Sequence, residues 1–450
     1  MNDDRAADAL ALAQAALAEA MRDGVTEAEA LVMAEDSALT RFANSEIHQN
    51  VAETNRVVNL RVVIGKRVGV ASSDRTDTDG LRQLAANARA IAGVVEELDD
   101  WGGLPGPTES TPVAAGFSAA TATASPEFRA DAVRAVIAAA DAAGVVAYGS
   151  FATGLESTAV ANSKGVAVAG TRTVSQLITV SMGPNGGTGY AESAAVDAST
   201  IDAAALGREA ADKARATADA VSIEPGDYPV VLEEYAVVDL LDMLGYLGFS
   251  ALAVQEERSF FESGKRIGSE LVTIHDDGRD PAGLPIWFDY EGVAKARVGL
   301  VEAGRCGAVV HDAQTAARAG VSSTGHGLPA PNPYGPFPLN MIMDAGGSTR
   351  DELIGGLDRG LLVTRFHYTN PVHPKLAIVT GMTRDGTFLV EGGQIVGPVK
   401  NLRYTQSYLA ALAGTVAVGR DRKTLRGFLG GVVVPAVRID SWTFTGGTEH

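Results

Sequence analysis

The first half of this chain runs twice through one order of patterns, helix then strands then helix, and that order restricts the fold more than any single motif. In residues 5–22, Leu10, Leu12, Ala13, Leu17 and Met21 recur near the 3.6-residue period of an amphipathic helix, and Gly24 suits its C-terminal end. Strand-rich runs are expected at 29–34, 38–44, 57–64 and 67–72, with a hairpin turn at Gly65-Lys66. Residues 78–97 return to helical spacing through Leu81, Leu84, Ala85, Ala88, Ile91 and Val95. A Gly-, Pro-, Ser- and Thr-rich connector fills 101–125. The second pass starts at Ser125-Pro126, with proline at the first helical position, and gives a helix over 127–143. Strands are expected at 144–152, 157–162, 165–171 and 173–183, then a Gly-rich loop at 183–189 and a helix over 202–219. Such an order predicts an α+β fold: a layered α/β N-terminal part with mainly antiparallel strands.

Gly226-Asp227-Tyr228-Pro229 marks a change. Beyond it the chain is mostly β, predicting a β-rich C-terminal domain. Hairpin-like turns are expected at Asp276-Asp277-Gly278, Asp385-Gly386 and Gly392-Gly393. Two helices interrupt it, at 235–249 and 404–416. The segment GHGLPAPNPYGPFPLN (325–340) cannot pair as a central strand, because its prolines lack the amide donors a ladder needs. Three units follow: 1–100, 101–225 and 226–450.

Composition narrows the function. The 37 Lys+Arg against 55 Asp+Glu give a net charge of −18, which repels phosphates and argues against nucleic acid or an anionic membrane as partner. The start, MNDDRAADAL, lacks the basic region of a secretory signal, and the alanine-dense residues 6–21 are interrupted by Asp8, Gln14 and Glu19, so a cytoplasmic protein is expected. A single cysteine, Cys306, excludes an internal disulfide framework and Cys-rich metal sites.

Several segments in fixed order resemble the TldD/PmbA (TldE) family of metallopeptidase-related proteins. They are SALTRFANSEIHQN (37–50), SFFESGKRIGSELVTIHDDG (259–278), FDYEGVAKAR (288–297), GGSTRDELIGGLDRGLLVT (346–364) and GTFLVEGGQIVGPVKNLR (386–403). The active TldD-type subunit carries His-Glu-x-x-x-His on the helix before the second segment, with a cysteine near the C-terminus. Imidazoles and thiolate hold Zn²⁺, and the carboxylate activates its water. Here the matching helix reads VVDLLDMLGYLGF (237–249). The resemblance puts the first ligand position on Asp242, the base on Met243 and the second ligand on Leu247. The thiolate position falls on Phe428 or Leu429. No histidine lies within 235–255, so a shift of alignment does not restore the site. The resemblance therefore points to the TldE/PmbA-type subunit, and it implies that the β-rich C-terminal domain is barrel-like. It implies no catalytic residue and no zinc in this chain, a zinc-bearing TldD-type partner, and peptides as substrates.

Other constellations weigh less. Of seven histidines (His48, His275, His311, His326, His367, His373, His450), the pair His367 and His373 in RFHYTNPVHP has the best spacing for a metal, and His326 sits in the Pro-rich loop. All three are candidates for a peptide-cavity wall. His275 beside Asp276 and Asp277 reads better as part of a turn. Asp239 and Asp242 lie one helical turn apart and could hold a cation, or simply form a solvated or interface face. Cys306 lacks a catalytic neighbourhood, and GPNGGTG (183–189) lacks the Lys-Ser/Thr of a P-loop. Arg41, Asn44 and Gln49 alternate with apolar residues and suggest a subunit contact or ordinary sheet alternation.

Three functions compete: a non-catalytic subunit of a heterodimeric zinc peptidase, a self-sufficient peptidase with a displaced site at His367, His373 and a carboxylate such as Asp242, and a non-enzymatic scaffold or peptide binder. A homodimer is compatible with each.

Overall fold

The computed structural model describes residues 2–428 and 430–447. The N-terminal sheet has six strands: β1 (Glu27–Ala43), β2 (Glu46–Ile64), β3 (Arg67–Ser73), β4 (Val146–Asn162), β5 (Ala167–Met182) and β6 (Thr188–Ala195). Their spatial order is β3-β2-β1-β4-β5-β6, every neighbour antiparallel. Segments expected as pairs of short strands are thus single long ones. Residues 1–100 and 101–225 share this sheet, because β1 pairs with β4 along fourteen positions from Glu29↔Asn162 to Phe42↔Gly149.

Four long helices cover one face. The first two, α1 (Asn2–Ala20) and α2 (Thr78–Val94), pack alanines and leucines on β1, β2 and β4, with Ala13, Ala16, Leu84 and Ala88 buried against Val32, Leu60 and Val62. A short turn, α3 (Ala119–Ala122), precedes α4 (Pro126–Ala143), which packs with α5 (Ala203–Ala216) against β4 to β6. Local chemistry sets their starts: Ser125 accepts from the Phe128 amide, Asp77 from Gly80 and Asp202 from Ala205. Small alanines let helix and sheet approach closely.

The opposite face of the sheet meets the second half of the chain. Trp287 and Phe288 pack on Leu31, Val160 and Val166. Gly170 on β5 makes room for that indole; a Cβ there would come within 2.2 Å of it.

The second half opens with β7 (Gly226–Leu232), α6 (Glu234–Gly248) and α7 (Ala251–Gln255). Next come β8 (Ile274–Asp276), β9 (Val298–Glu302), β10 (Arg305–Cys306), α8 (Ala313–Ala319), β11 (Met341–Met343) and α9 (Arg350–Gly355). The chain ends through β12 (Arg359–His373), β13 (Ile378–Glu391), β14 (Gln394–Pro398), β15 (Leu402–Ser407), α10 (Tyr408–Ala413), β16 (Thr415–Arg426) and β17 (Gly431–Gly447). β7 pairs with β12 on one side and β17 on the other, while β12, β13, β15 and β17 pair in turn. That ring closes a barrel, whose core stacks Trp442 on Phe366 at 4.9 Å between centroids, against Tyr404 and Tyr408.

Three expectations are corrected. Residues 404–416 are not one helix: Leu402, Tyr404 and Gln406 are buried in alternation, so the chain runs as β15 before turning into α10. Asp276-Asp277-Gly278 is no hairpin turn, since β8 ends at Asp276 and β9, the next strand and its partner, starts only at Val298. Asp385-Gly386 lies inside β13, where positive φ values of 54° and 139° mark an irregularity that aims Asp385 at Arg365. Gly392-Gly393, by contrast, is the β13–β14 hairpin turn, with φ of 55° and 77°. Among the described residues no helix is long and apolar enough to cross a membrane.

Candidate functional site

α6 is apolar almost all round and packs against β12 and β17 of the barrel. Glu233 precedes its first turn, and the Glu233 side chain pairs with cations and does not cap the helix. Burial alone would push that carboxyl up, but Lys213 at 2.7 Å and Arg350 at 2.7 Å bring it down to about 2. On its less enclosed side, Asp239, Asp242 and Met243 face a hollow of about 440 Å³. β6 contributes Tyr190 and Glu192, β12 contributes Arg365, Tyr368 and Thr369, the end of β16 contributes Arg426, and the turn after it contributes Gly427 and Phe428.

Polar contacts fix this wall. The Phe428 amide donates to Asp242 Oδ2 at 2.7 Å. Gly427 lets the backbone come this close, since a Cβ there would lie 2.6 Å from Asp242 Oδ1. Thr369 and Tyr408 hydroxyls donate to the two oxygens of Asp239 at 2.7 and 2.9 Å. Burial pushes Asp239 up to about 6 against those donors. Burial likewise pushes Asp242 up to about 7, with the Phe428 amide opposing and Asp239 and Glu192 adding to the rise. Tyr190 donates to Glu192 at 2.6 Å, and Arg365 lies 4.3 Å over the Tyr190 ring while paired with Asp385.

The structure therefore brings together Asp242, Met243 and Phe428, three of the four positions that the resemblance assigns to a lost zinc site. Leu247 is elsewhere: five residues on from Asp242 it has rotated about 140° and is buried in the core. These residues do not fit zinc. One carboxylate engaged by an amide, a thioether, a buried leucine and an exposed phenyl ring cannot supply a tetrahedral N/O/S donor set. Among the described residues no group of three or more His, Cys, Asp or Glu side chains is placed to hold a metal ion. His367, His373 and Asp242 thus form no displaced centre.

The remaining candidates separate. His367 is half-buried on β12 beside the Tyr368 ring, with its ionisation disfavoured by burial and by Arg384 and Arg365. His373 is exposed at the strand's end. Neither lines the hollow. His326 is fully enclosed, 2.8 Å from Asp276 and 2.9 Å from Thr324, so it belongs to a buried polar cluster rather than to that cavity's wall. His275 is buried on β8 and Cys306 on β10. Asp239 and Asp242 do share a site, but one lined by aromatic rings rather than open solvent. Arg41 and Gln49 are cross-strand neighbours, and Asn44 accepts from the Tyr148 hydroxyl at 2.7 Å. Leu429 and His450 lie outside the described residues. Sequence reasoning missed Tyr190, Glu192, Arg365 and Thr369. β6 hid behind the glycines at 183–189, and nothing local announces that β12 passes α6.

Comparison with known proteins agrees with this architecture. Residues 225–446 match the model of the PmbA/TldA metallopeptidase C-terminal domain, and residues 28–92 match domain 1 of the same family. A Metalloprotease TldD homolog of Buchnera aphidicola is 30% identical over 208 residues, 44% of this chain and 42% of that protein. One from Haemophilus influenzae is 28% identical over 269 residues, 55% of this chain and 54% of that protein. The chain thus spans about half the length of the curated relatives it matches. The crystal structure of TldE from Thermococcus kodakarensis superposes with a TM-score of 0.86 at 20% identity, covering 94% of this chain and 97% of that one, which establishes a common fold. With both domain models matched in order and the whole fold shared, the chain belongs to the PmbA/TldD family of metallopeptidase-related proteins.

Proposed function

We propose that this chain is the non-catalytic subunit of a two-component zinc peptidase, paired with a TldD-type subunit that carries the metal and the base. The observation that carries this reading is the hollow at α6. Its walls join carboxylates and Arg365 to aromatic rings, and it is lined by Asp242, Met243 and Phe428, the residues at the positions that the resemblance assigns to metal ligands and base. The chain's role is to complete a chamber and hold an extended peptide. Edge strand β6 supports the second task, because it borders a further hollow of about 480 Å³ shared with Arg422, Lys423 and Thr424 of β16, and Glu192 lines both hollows. The net charge of −18 speaks for peptide rather than nucleic acid as the bound polymer.

The test is direct. The pure chain, washed with chelator, is assayed for zinc and for cleavage of an unfolded peptide, alone and with a TldD-type subunit. The expected result is no retained zinc, no cleavage alone, and a stable complex that cleaves. Retained zinc with cleavage by the chain alone would falsify the proposal. Binding of peptide with no affinity for a TldD-type subunit would instead favour a scaffold.

A further inference from the structure

β2 is much longer than the strand beside it. Its outer neighbour β3 pairs only with residues from Val58 to Ile64. Residues 46–57 pair with β1 alone, so their outer edge carries unpaired backbone donors and acceptors among the described residues. Ten of the eleven residues from Glu46 to Arg56 are exposed. Natural sheets protect such edges with proline, with charged side chains and lysine above all, with bulges or with a covering helix or loop. The segment EIHQNVAETNR has neither proline nor lysine.

Its charges are also unspent. Across the β1–β2 hairpin Glu46 faces Ala43 and Arg56 faces Ala34. Neither side chain has a hydrogen-bond or ion-pair partner among the described residues. If a second copy of the strand runs antiparallel about a two-fold axis, directly opposed residues must share one face of the sheet and have the same parity. Centring the axis on Val51 uses the whole free segment. It sets Glu46 against Arg56 of the other copy at both ends, Gln49 against Glu53, and Val51 against itself. Moving the axis to Ala52 would oppose His48 to Arg56 and lose Glu46 from the free segment. Moving it to Asn50 would oppose Ile47 to Glu53 and leave Arg56 without a partner.

We propose that this free edge is a self-association surface, on which a second copy of this chain pairs β2 to β2 in the Val51-centred register, so that one antiparallel sheet runs through both copies. The paired segment would be about 36 Å long at the usual rise per residue, with roughly ten ladder hydrogen bonds. The occupant is a second copy because the segment is complementary in charge to itself. The proposal does not depend on zinc chemistry or on a TldD-type subunit.

Sedimentation equilibrium of the pure full-length chain tests it, with folding of each variant checked by circular dichroism. The wild type is expected to dimerise. Glu46→Arg or Arg56→Glu alone sets like charges opposite each other twice per dimer and should weaken association about tenfold. The double swap Glu46→Arg with Arg56→Glu should restore it, which a merely structural effect of either substitution would not do. Val51→Lys should abolish it by placing two ammonium groups on the axis. A chain that stays monomeric, or a dimer indifferent to these substitutions, overturns the proposal. So does a monomer whose edge variants lose binding to a TldD-type subunit or an extended peptide, since the edge then has that other occupant. Those outcomes leave the zinc assays above unaffected.

Discussion

Two buried acids show how single residues set the behaviour of this chain. Asp276 sits at zero exposure between Lys295 Nζ at 3.2 Å and His326 Nε2 at 2.8 Å, and accepts from the Asn340 amide at 2.6 Å. Burial would push its carboxyl up, but Lys295 and His326 hold it well below the usual carboxylate range. The folded state therefore binds fewer protons here than the unfolded one. The contribution is present above the unfolded value and lost as pH falls. Lys295→Met strands the charge and is expected to cost about 3–5 kcal/mol in urea unfolding near neutral pH. Asp242 runs the other way. Its carboxyl is raised to about 7, so the folded state binds more protons, and its contribution is lost as pH rises through about 7. Asp242→Asn keeps an acceptor for the Phe428 amide. It is expected to stabilise the chain by about 1–2 kcal/mol at pH 8 and to make little difference near pH 4. A gain that does not change between those pH values would refute the assignment.

α6 carries the main lesson at the level of elements. Its apolar pattern and its lack of histidine were readable in the sequence, and the five-residue spacing already implied that positions 242 and 247 diverge on a regular helix. The structure gives that divergence a consequence, with Asp242 in the hollow and Leu247 in the core at 3% exposure. Writing the motif back as Asp242→His, Met243→Glu and Leu247→His should fail as a metal site here, because position 247 is packed in the core and Phe428 supplies no third ligand. It should also cost about 2–5 kcal/mol, because an imidazole replaces a packed leucine. Chelator-sensitive zinc in that variant would contradict this. Helices α2, α4 and α5 were legible within a few residues, since capping side chains and apolar periodicity agree there. Strand length was not. Residues 46–56 lack apolar alternation and are held in a strand by their register with β1. Barrel closure was expected from the family resemblance and not from any local pattern, because β7 and β17 meet from opposite ends of the second half and no local signal records a pairing at that separation. The same reason kept Arg365 and Glu192 out of the expected site.

Across the whole molecule, the two halves meet through an apolar seam at Trp287 and an ionic knot beside it. Arg61 of β2 donates to Glu29 of β1 at 2.7 Å and to Glu291 of the second half at 3.0 Å, while Glu291 also accepts from the Ala313 amide at the start of α8. Asp289 completes the knot by accepting from the Gly327, Val293 and Glu291 amides. One guanidinium thus serves two carboxylates next to a third. Burial pushes Glu29 upward against the pull of Arg61, with Glu291 adding to the rise, and burial with Glu291 does the same to Asp289. The folded state therefore takes up protons here, and its stability declines as pH climbs above the ordinary carboxylate range. Arg61→Met removes the only cation drawn into this contact among the described residues. At pH 8 the loss should be about 3–5 kcal/mol, because two buried carboxylates are left uncompensated. Near pH 5 protonation of Glu29 relieves much of that penalty, so the deficit should shrink. If unfolding shows a deficit that is the same at both pH values, or grows on acidification, charge compensation by Arg61 is not what joins the two halves.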